Sequence, residues 1–138
     1  MQIDLDEIKR MLNVFLDAPG PFITIEDLGF VDENDQAKLD KSIGHFLLIV
    51  ENGLISNRQL VTGDASAVGL RIAARSFGYT GVPIRLTQAG HDFINMLNQK
   101  PVFERLKEEA KEAPFSLLHK VGASMVEKIL KEKLGLGS

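Results

Sequence analysis

Cysteine is absent from this sequence of 138 residues. The chain therefore cannot form a disulfide framework, present a thiol nucleophile or hold a cysteine-ligated zinc ion. The absence of cysteine also agrees with a cytoplasmic protein, because disulfides are found mainly in oxidising compartments. A hydrophobic core has to hold the fold together, and a chain of this length can bury about two-thirds of its unfolded surface.

Long apolar runs are absent as well. No stretch approaches the roughly 20 apolar residues that a membrane-spanning helix requires. The first ten residues, MQIDLDEIKR, are too acidic and too amphipathic for a signal peptide. We therefore expect a soluble cytoplasmic protein that has no membrane partner.

The motifs that usually carry catalysis are missing too. The sequence has no nucleophile elbow, no glycine-rich phosphate loop and no paired-carboxylate motif. Its histidines, among them His45 and His91, lack the spacing or the acidic companions of a zinc site. Hydrogen bonds inside the fold explain both histidines more simply than metal binding does. We expect a protein that is not an enzyme and that uses no cofactor, no metal and no small-molecule substrate.

Charge is distributed unevenly along the chain, whose formal net charge is −3. Residues 1–34 carry two basic and eight acidic side chains, which gives this part a charge of −6. Residues 35–90 carry six basic and four acidic side chains, or +2. An acidic chain is a poor bulk binder of nucleic acid, because that binding depends on clustered lysine and arginine. The middle third nevertheless leaves room for a local basic patch.

Residues 38–55 have the clearest helical pattern in the sequence. Apolar side chains repeat there at the spacing of one helical face, at Leu39, Ile43, Phe46 and Val50. The pattern predicts a long helix near residues 34–52, with Asp32 or Asn34 as its N-cap. Gly53 suits the left-handed position after the helix, and a short strand is expected at residues 54–55.

Periodicity and turn residues divide the rest of the chain. A helix is predicted near residues 4–17, followed by an extended segment at residues 22–25. Residues 56–67 are small and polar and predict a mobile loop. Strands at residues 68–74 and 82–87 are predicted to pair as an antiparallel β wing around a turn at residues 76–81, with residues 54–55 as a third short strand. Three helices follow, and the first is predicted to have Thr87 as its N-cap and to bury Phe93. The predicted class is α+β and mostly helical, with a winged-helix-like domain at residues 1–100 and a helical extension at residues 101–138.

Two segments resemble a known family. Residues 44–54, GHFLLIVENGL, resemble the H-x-x-L-L-x-E-x-G-L segment of the domain-of-unknown-function family 2513, which consists of small phage and prophage proteins. Residues 85–94, RLTQAGHDFI, are similar to the L-T-x-x-G-H-x-F-L segment of the same family. Gln88 and Phe103 stand where many relatives have tryptophan. The resemblance covers about residues 1–110 and implies a winged-helix-like fold and a phage or prophage setting, but no settled activity.

One interpretation of this fold is a DNA-binding regulator. The predicted helix at residues 35–52 would enter the major groove, and the wing would contact the backbone. The candidate contact residues are Lys38, Lys41, Ser42 and His45 on the helix and Arg71, Arg75 and Arg85 on the wing. The alternative is that these charged side chains only solvate an exposed face. Asp32, Glu33 and Asp35 lie just before the helix, and their charge opposes contact with phosphates.

The favoured interpretation is a protein–protein interaction module, such as an adaptor, an antitoxin-like protein or an anti-defence factor. Leu48 and Ile49 interrupt the polar face of the long helix and offer an apolar contact. The last helix carries an apolar stripe that needs cover, formed by Leu118, Val121, Met125 and Ile129. The helix could fold back on its own domain or pair with a second copy, and the frequency of two-fold dimers favours a homodimer.

Overall fold

The computed structural model describes residues 1–110 and 114–135, except for the Ser116 side chain. Its helices are α1 (Leu5–Asp17), α2 (Gln36–Glu51), α3 (Gln88–Leu97), α4 (Lys100–Glu109) and α5 (Phe115–Lys133). Its strands are β1 (Ile55–Asn57), β2 (Leu70–Ile72), β3 (Phe77–Tyr79) and β4 (Ile84–Leu86). This part of the chain is α+β and mostly helical, as predicted. None of these helices combines the length and the apolar character that crossing a membrane requires.

The boundaries of α2 lie close to the predicted ones. Asp35, rather than Asp32 or Asn34, is the N-cap, because its carboxylate accepts hydrogen bonds from two backbone N–H groups of the first turn. At the other end, Gly53 adopts the left-handed conformation predicted for it, with a φ of +67°. Signals within a few residues of each end are therefore enough to place this helix.

The strands pair only in part as predicted: the segment at residues 54–55 joins the sheet through β1, but the predicted wing does not form. β4 pairs with β1, with Ile55 opposite Leu86, and β2 pairs with β3, which lies in the segment predicted as a turn. On its other side β4 meets Ile23, whose N–H and C=O form hydrogen bonds of 2.9 and 2.8 Å with the backbone of Ile84. Because both edges of β4 are occupied in this way, it has no edge left for β2. The predicted wing of residues 68–74 against 82–87 is wrong.

The loop between β1 and β2 has a defined backbone course, although its composition predicted a mobile segment. Asn57 Oδ1 accepts hydrogen bonds from the N–H groups of Gln59 and Val61, both at 3.0 Å. Asp64 Oδ1 accepts hydrogen bonds from Ser66 N–H at 3.0 Å and Ser66 Oγ at 2.8 Å. Short polar side chains that bond to backbone N–H groups two to four residues ahead stabilise such turns. In the sequence, the same residue types also occur in mobile loops, so composition alone does not distinguish the two cases.

One hydrophobic core joins the helices and the sheet of β1 and β4. Phe46 and Phe93 are buried in it, as their helical spacing predicted, whereas Leu39 is only half-buried. Val102 of α4 and Leu118 of α5 belong to the same core. The described part of residues 101–138 therefore packs on the core of residues 1–100, and the division into a domain and an extension stays a prediction. Residues 111–113 and 136–138 of that extension lie outside the described ranges.

Candidate binding surfaces

The outer face of α2 is covered in part by residues 1–4. The backbone N–H of Asp4 donates a hydrogen bond of 2.8 Å to His45 Nε2, so this nitrogen carries no proton. His45 Nδ1 then holds the ring proton and donates to the Lys41 carbonyl oxygen at 2.7 Å. The Met1 sulfur lies against Gly44, in the space that a Cβ would fill. These contacts bury His45 completely and fix residues 1–4 across the helix.

The same contact compensates the charge of Lys41. Its ammonium lies 2.6 Å from Asp4 Oδ2. The hydrogen bond between them lowers the pKa of the Asp4 carboxyl and raises the pKa of Lys41 above its ordinary value. Asp4 and Lys41 line a cleft of about 370 Å³. A second ion pair, of 2.7 Å, joins Lys107 to Asp6 in the lining of this cleft. Charges of both signs therefore alternate along this surface, and it does not form a basic patch.

The seven residues predicted to contact DNA differ in exposure and in charge pairing, and only three of them are exposed without an ion pair to a described residue. Ser42 and His45 are buried, so the prediction that they face a nucleic acid is wrong. Lys41 is paired with Asp4, and Arg85 is half-buried with its Nη1 atom 3.5 Å from Ser56 Oγ. The remaining three are exposed: Lys38 in the first turn of α2, and Arg71 and Arg75 in the β2–β3 hairpin.

Burial also reduces the apolar surface predicted on α2. Ile49 lies in the core, and Leu48 is half-buried. The helix is therefore enclosed on more sides than its pattern of apolar and polar residues indicated. Residues 1–4 supply part of this cover, and no signal within α2 itself could have shown it.

The apolar stripe of α5 packs mainly against its own chain. Leu118 is buried, and a Cβ at Gly122 would meet the side chains of Met96 in α3 and Leu106 in α4. Leu118 is thus removed from the predicted oligomer surface. Val121, Met125 and Ile129 are half-buried against the core. The helix therefore folds back on its own chain, where α3 and α4 cover most of the stripe.

A groove of about 350 Å³ remains between α3 and α5. Its apolar floor contains Met96 and Val126, and Asp92 and His119 are among its polar residues. The His119 ring stacks on Phe93, with 5.6 Å between the ring centroids and an angle of 7° between the planes. Outside the packed stripe, Leu117 and Leu130 of α5 are exposed, as is Leu134 directly after the helix. Leu130 lies one turn beyond Val126, on the side of the helix that lines the groove, and offers apolar contact to a partner there.

A second exposed apolar feature is the turn at residues 57–61. Leu60 has a φ of +64° and is 66 % exposed, and Val61 beside it is 40 % exposed. The left-handed conformation is unfavourable for leucine, so the hydrogen bonds of Asn57 must hold the turn in this shape. Sequence reasoning missed this feature because the segment reads as an ordinary polar loop.

The histidines occupy three separate environments. His45 lies beneath residues 1–4, His91 is exposed on α3, and His119 stacks on Phe93. Among residues 1–110 and 114–135, no three His, Asp or Glu side chains converge in a way that could hold a metal ion.

No protein-family model, curated protein or solved structure matches the chain.

Proposed function

We propose that the protein is a non-enzymatic, winged-helix-like module that acts mainly through protein–protein contacts. The chain runs from α1 through Ile23, which bridges to β4, and a helical turn at Ile25–Leu28 to α2. It continues through β1 and the β2–β3 hairpin to β4, and this is the order of elements in a winged-helix domain. The resemblance of residues 44–54 and 85–94 to small phage and prophage proteins supports the same assignment. An adaptor, an antitoxin-like protein or an anti-defence factor of a phage or prophage fits these features.

The contact of residues 1–4 with the outer face of α2 is the observation that favours a protein partner over DNA. A recognition helix enters the major groove with an exposed outer face. Here Asp4 contacts both Lys41 and His45, and it places a carboxylate where a phosphate or a base edge would approach. DNA could reach this face only by displacing residues 1–4, and their ion pair and hydrogen bonds would have to be broken.

An exposed apolar side chain beside the groove between α3 and α5 suits a protein partner. Leu130 is 53 % exposed and lies one helical turn beyond Val126, which lines that groove. Exposed apolar groups next to a largely apolar groove are typical of sites that bind other proteins. A second copy of the chain is one partner that this surface would accept.

DNA binding is the second candidate, and one observation favours it. Arg71 and Arg75 are exposed in the β2–β3 hairpin, and neither forms an ion pair with a described residue. Such arginines could contact backbone phosphates while the outer face of α2 stays covered.

Binding to duplex DNA at low salt separates the two candidates. We expect no binding to random or genomic duplex at about 50 mM salt, where phosphate contacts are strong. Binding that falls with salt, and that falls further in the Arg71→Glu, Arg75→Glu double variant, would show that DNA is the partner instead.

The protein-binding proposal also requires a positive result. A photo-crosslinking residue placed at Leu130 should capture a defined protein from the native host, or a second copy of the chain. The matched control is the same group at Glu104, an exposed position of α4. If both positions capture the same proteins, or if neither captures any, the proposed contact surface on α5 is wrong.

A further inference from the structure

The C-terminal end of α1 borders an open cavity of about 460 Å³. Val14, Ala18 and Ile23 form apolar parts of its wall, and Asp17 and Asp27 also line it. The cavity lies in the part of the chain that carries eight acidic and two basic side chains. Neither Asp17 nor Asp27 forms an ion pair with a described residue. A cavity with both apolar and polar walls, whose carboxylates form no ion pair with described residues, is complementary to a cation that has an apolar stem.

The position of Asp17 is not explained by the stability of α1. It is the last residue of the helix, and no basic residue lies in the last turn. An acidic side chain there faces the negative end of the helix dipole, which is unfavourable. Ala18 continues in an extended conformation, with φ −69° and ψ 145°. The last carbonyl oxygens of the helix thus add to the negative potential around the cavity.

Asp27 is held in place by a local capping arrangement. Its Oδ2 atom accepts a hydrogen bond of 2.9 Å from the Thr24 N–H. The other carboxylate oxygen, Oδ1, accepts no hydrogen bond from the described part of the chain. Phe22 also lines the cavity and is 44 % exposed. An exposed aromatic ring beside carboxylates favours a planar cation, because a guanidinium can stack on the ring while it binds a carboxylate.

We propose that this cavity binds an arginine side chain of a partner protein. The aliphatic stem would lie along Val14 and Ile23, and the guanidinium would contact Asp17, Asp27 and the ring of Phe22. Arginine fits better than lysine, since only its planar head can stack on the ring and bind a carboxylate through two parallel hydrogen bonds. This inference rests on the proposed protein-binding function and specifies the chemistry of one contact.

The test uses the full chain and two short peptides, acetyl-Gly-Arg-Leu-amide and the same peptide with citrulline in place of arginine. Citrulline has nearly the same shape but no charge. Amide chemical shifts are followed by NMR at low ionic strength, up to about 10 mM peptide, because a single side chain binds weakly. We expect the arginine peptide to shift the amides of residues 14–27 and the citrulline peptide to leave them unchanged.

Variants identify the groups responsible. Asp17→Asn should weaken binding of the arginine peptide roughly two- to fivefold, the range for loss of one exposed charged contact. This variant should remain folded, because it removes an acid from the unfavourable end of α1. Phe22→Leu should also weaken binding, since it keeps an apolar side chain but removes the ring. Glu104→Gln removes the same charge from α4, far along the chain, and should bind as the parent does.

Four results would overturn the inference. They are equal binding of the arginine and citrulline peptides, tighter binding of a lysine peptide, equal effects of Asp17→Asn and Glu104→Gln, and no shifts at the highest peptide concentration. The outcome is separable from that of the proposed function. A cavity that binds arginine while Leu130 captures no protein would retain this inference and remove only the contact surface on α5.

Discussion

Gly90 and Gly122 both lie inside helices where an added Cβ would collide with a neighbour, but the neighbours differ in kind. At Gly90 the obstacle is the backbone carbonyl oxygen of Leu54, which already accepts a hydrogen bond of 3.0 Å from the Thr87 N–H. At Gly122 the nearest atoms belong to the end of the flexible Met96 side chain. The Leu54 carbonyl cannot move without breaking its hydrogen bond to Thr87, which joins the start of α3 to the segment before β1. The Met96 side chain, in contrast, can change rotamer.

We therefore expect opposite results from the same substitution at the two glycines. Gly90→Ala should lower the free energy of unfolding by about 3 kcal/mol or more, because the backbone has to shift. Gly122→Ala should change it by less than about 1 kcal/mol, since the gain in helix propensity offsets the repacking of Met96. Urea denaturation of both variants measures the difference. Similar losses in the two variants would mean that Met96 is held as firmly as the backbone.

At the scale of elements, the contact between residues 1–4 and α2 defines the surface on which the choice between DNA and protein depends. Asp4 performs three tasks there. It caps α1 through the Asp6 N–H, pairs with Lys41 and donates its own N–H to His45. A single residue therefore couples the start of α1 to the middle of α2.

A double-mutant cycle isolates the Asp4–Lys41 pair within this contact. Asp4→Asn keeps a good N-cap for α1, and Lys41→Met keeps the length of the stem. The cycle should give a coupling free energy of up to about 1 kcal/mol at pH 7, as expected for a partly exposed pair. Urea denaturation of the four proteins gives the value, and the contribution of His45 cancels because all four retain it.

The coupling should depend on pH in a defined direction. The pKa of Asp4 is lowered by folding, so its contribution is complete above about pH 5 and is lost as the pH falls through the lowered pKa of the folded state. The pKa of Lys41 is raised, so its contribution is complete below about pH 9 and is lost only at more alkaline pH. We expect constant coupling between these limits and a loss of coupling as the pH falls through the lowered pKa of Asp4. Coupling that does not decline at all on acidification would show that the ion pair is not its source.

For the whole molecule, α5 presents two sets of leucines with different roles. Leu118 is 1 % exposed and belongs to the common core, whereas Leu130 is 53 % exposed. We expect Leu118→Ala to lower the free energy of unfolding by about 2–4 kcal/mol, as for other buried leucines, and Leu130→Ala to change it by less than about 0.5 kcal/mol. Denaturant titration measures both. Equal effects would mean that the two halves of α5 pack alike.

Sedimentation of the same two variants examines the predicted homodimer. If a second copy covers the exposed end of α5, the parent and Leu118→Ala should share one association constant, and Leu130→Ala should associate more weakly. A monomeric parent at every concentration would remove a second copy from the list of partners. The packing of Leu118 would stand, since it is satisfied within one chain.

The sequence by itself determined the features that depend on neighbours in the chain. The left-handed Gly53, the Thr87 cap of α3 and the burial of Phe46 and Phe93 all follow from spacing or from chemistry within one or two helical turns. The hydrogen bonds and the apolar spacing that determine these features involve residues only a few positions apart, so the sequence alone is enough to predict them.

Only the tertiary structure decided which segments meet. β4 pairs with β1 and Ile23 instead of β2, and His45 is buried by a contact 41 positions away. The predicted polar face of α2 was wrong at His45 for that reason, and the cavity between the end of α1 and Asp27 was not foreseen. Strand edges and helix faces accept many partners of similar local character, and the choice among them depends on how the entire core packs.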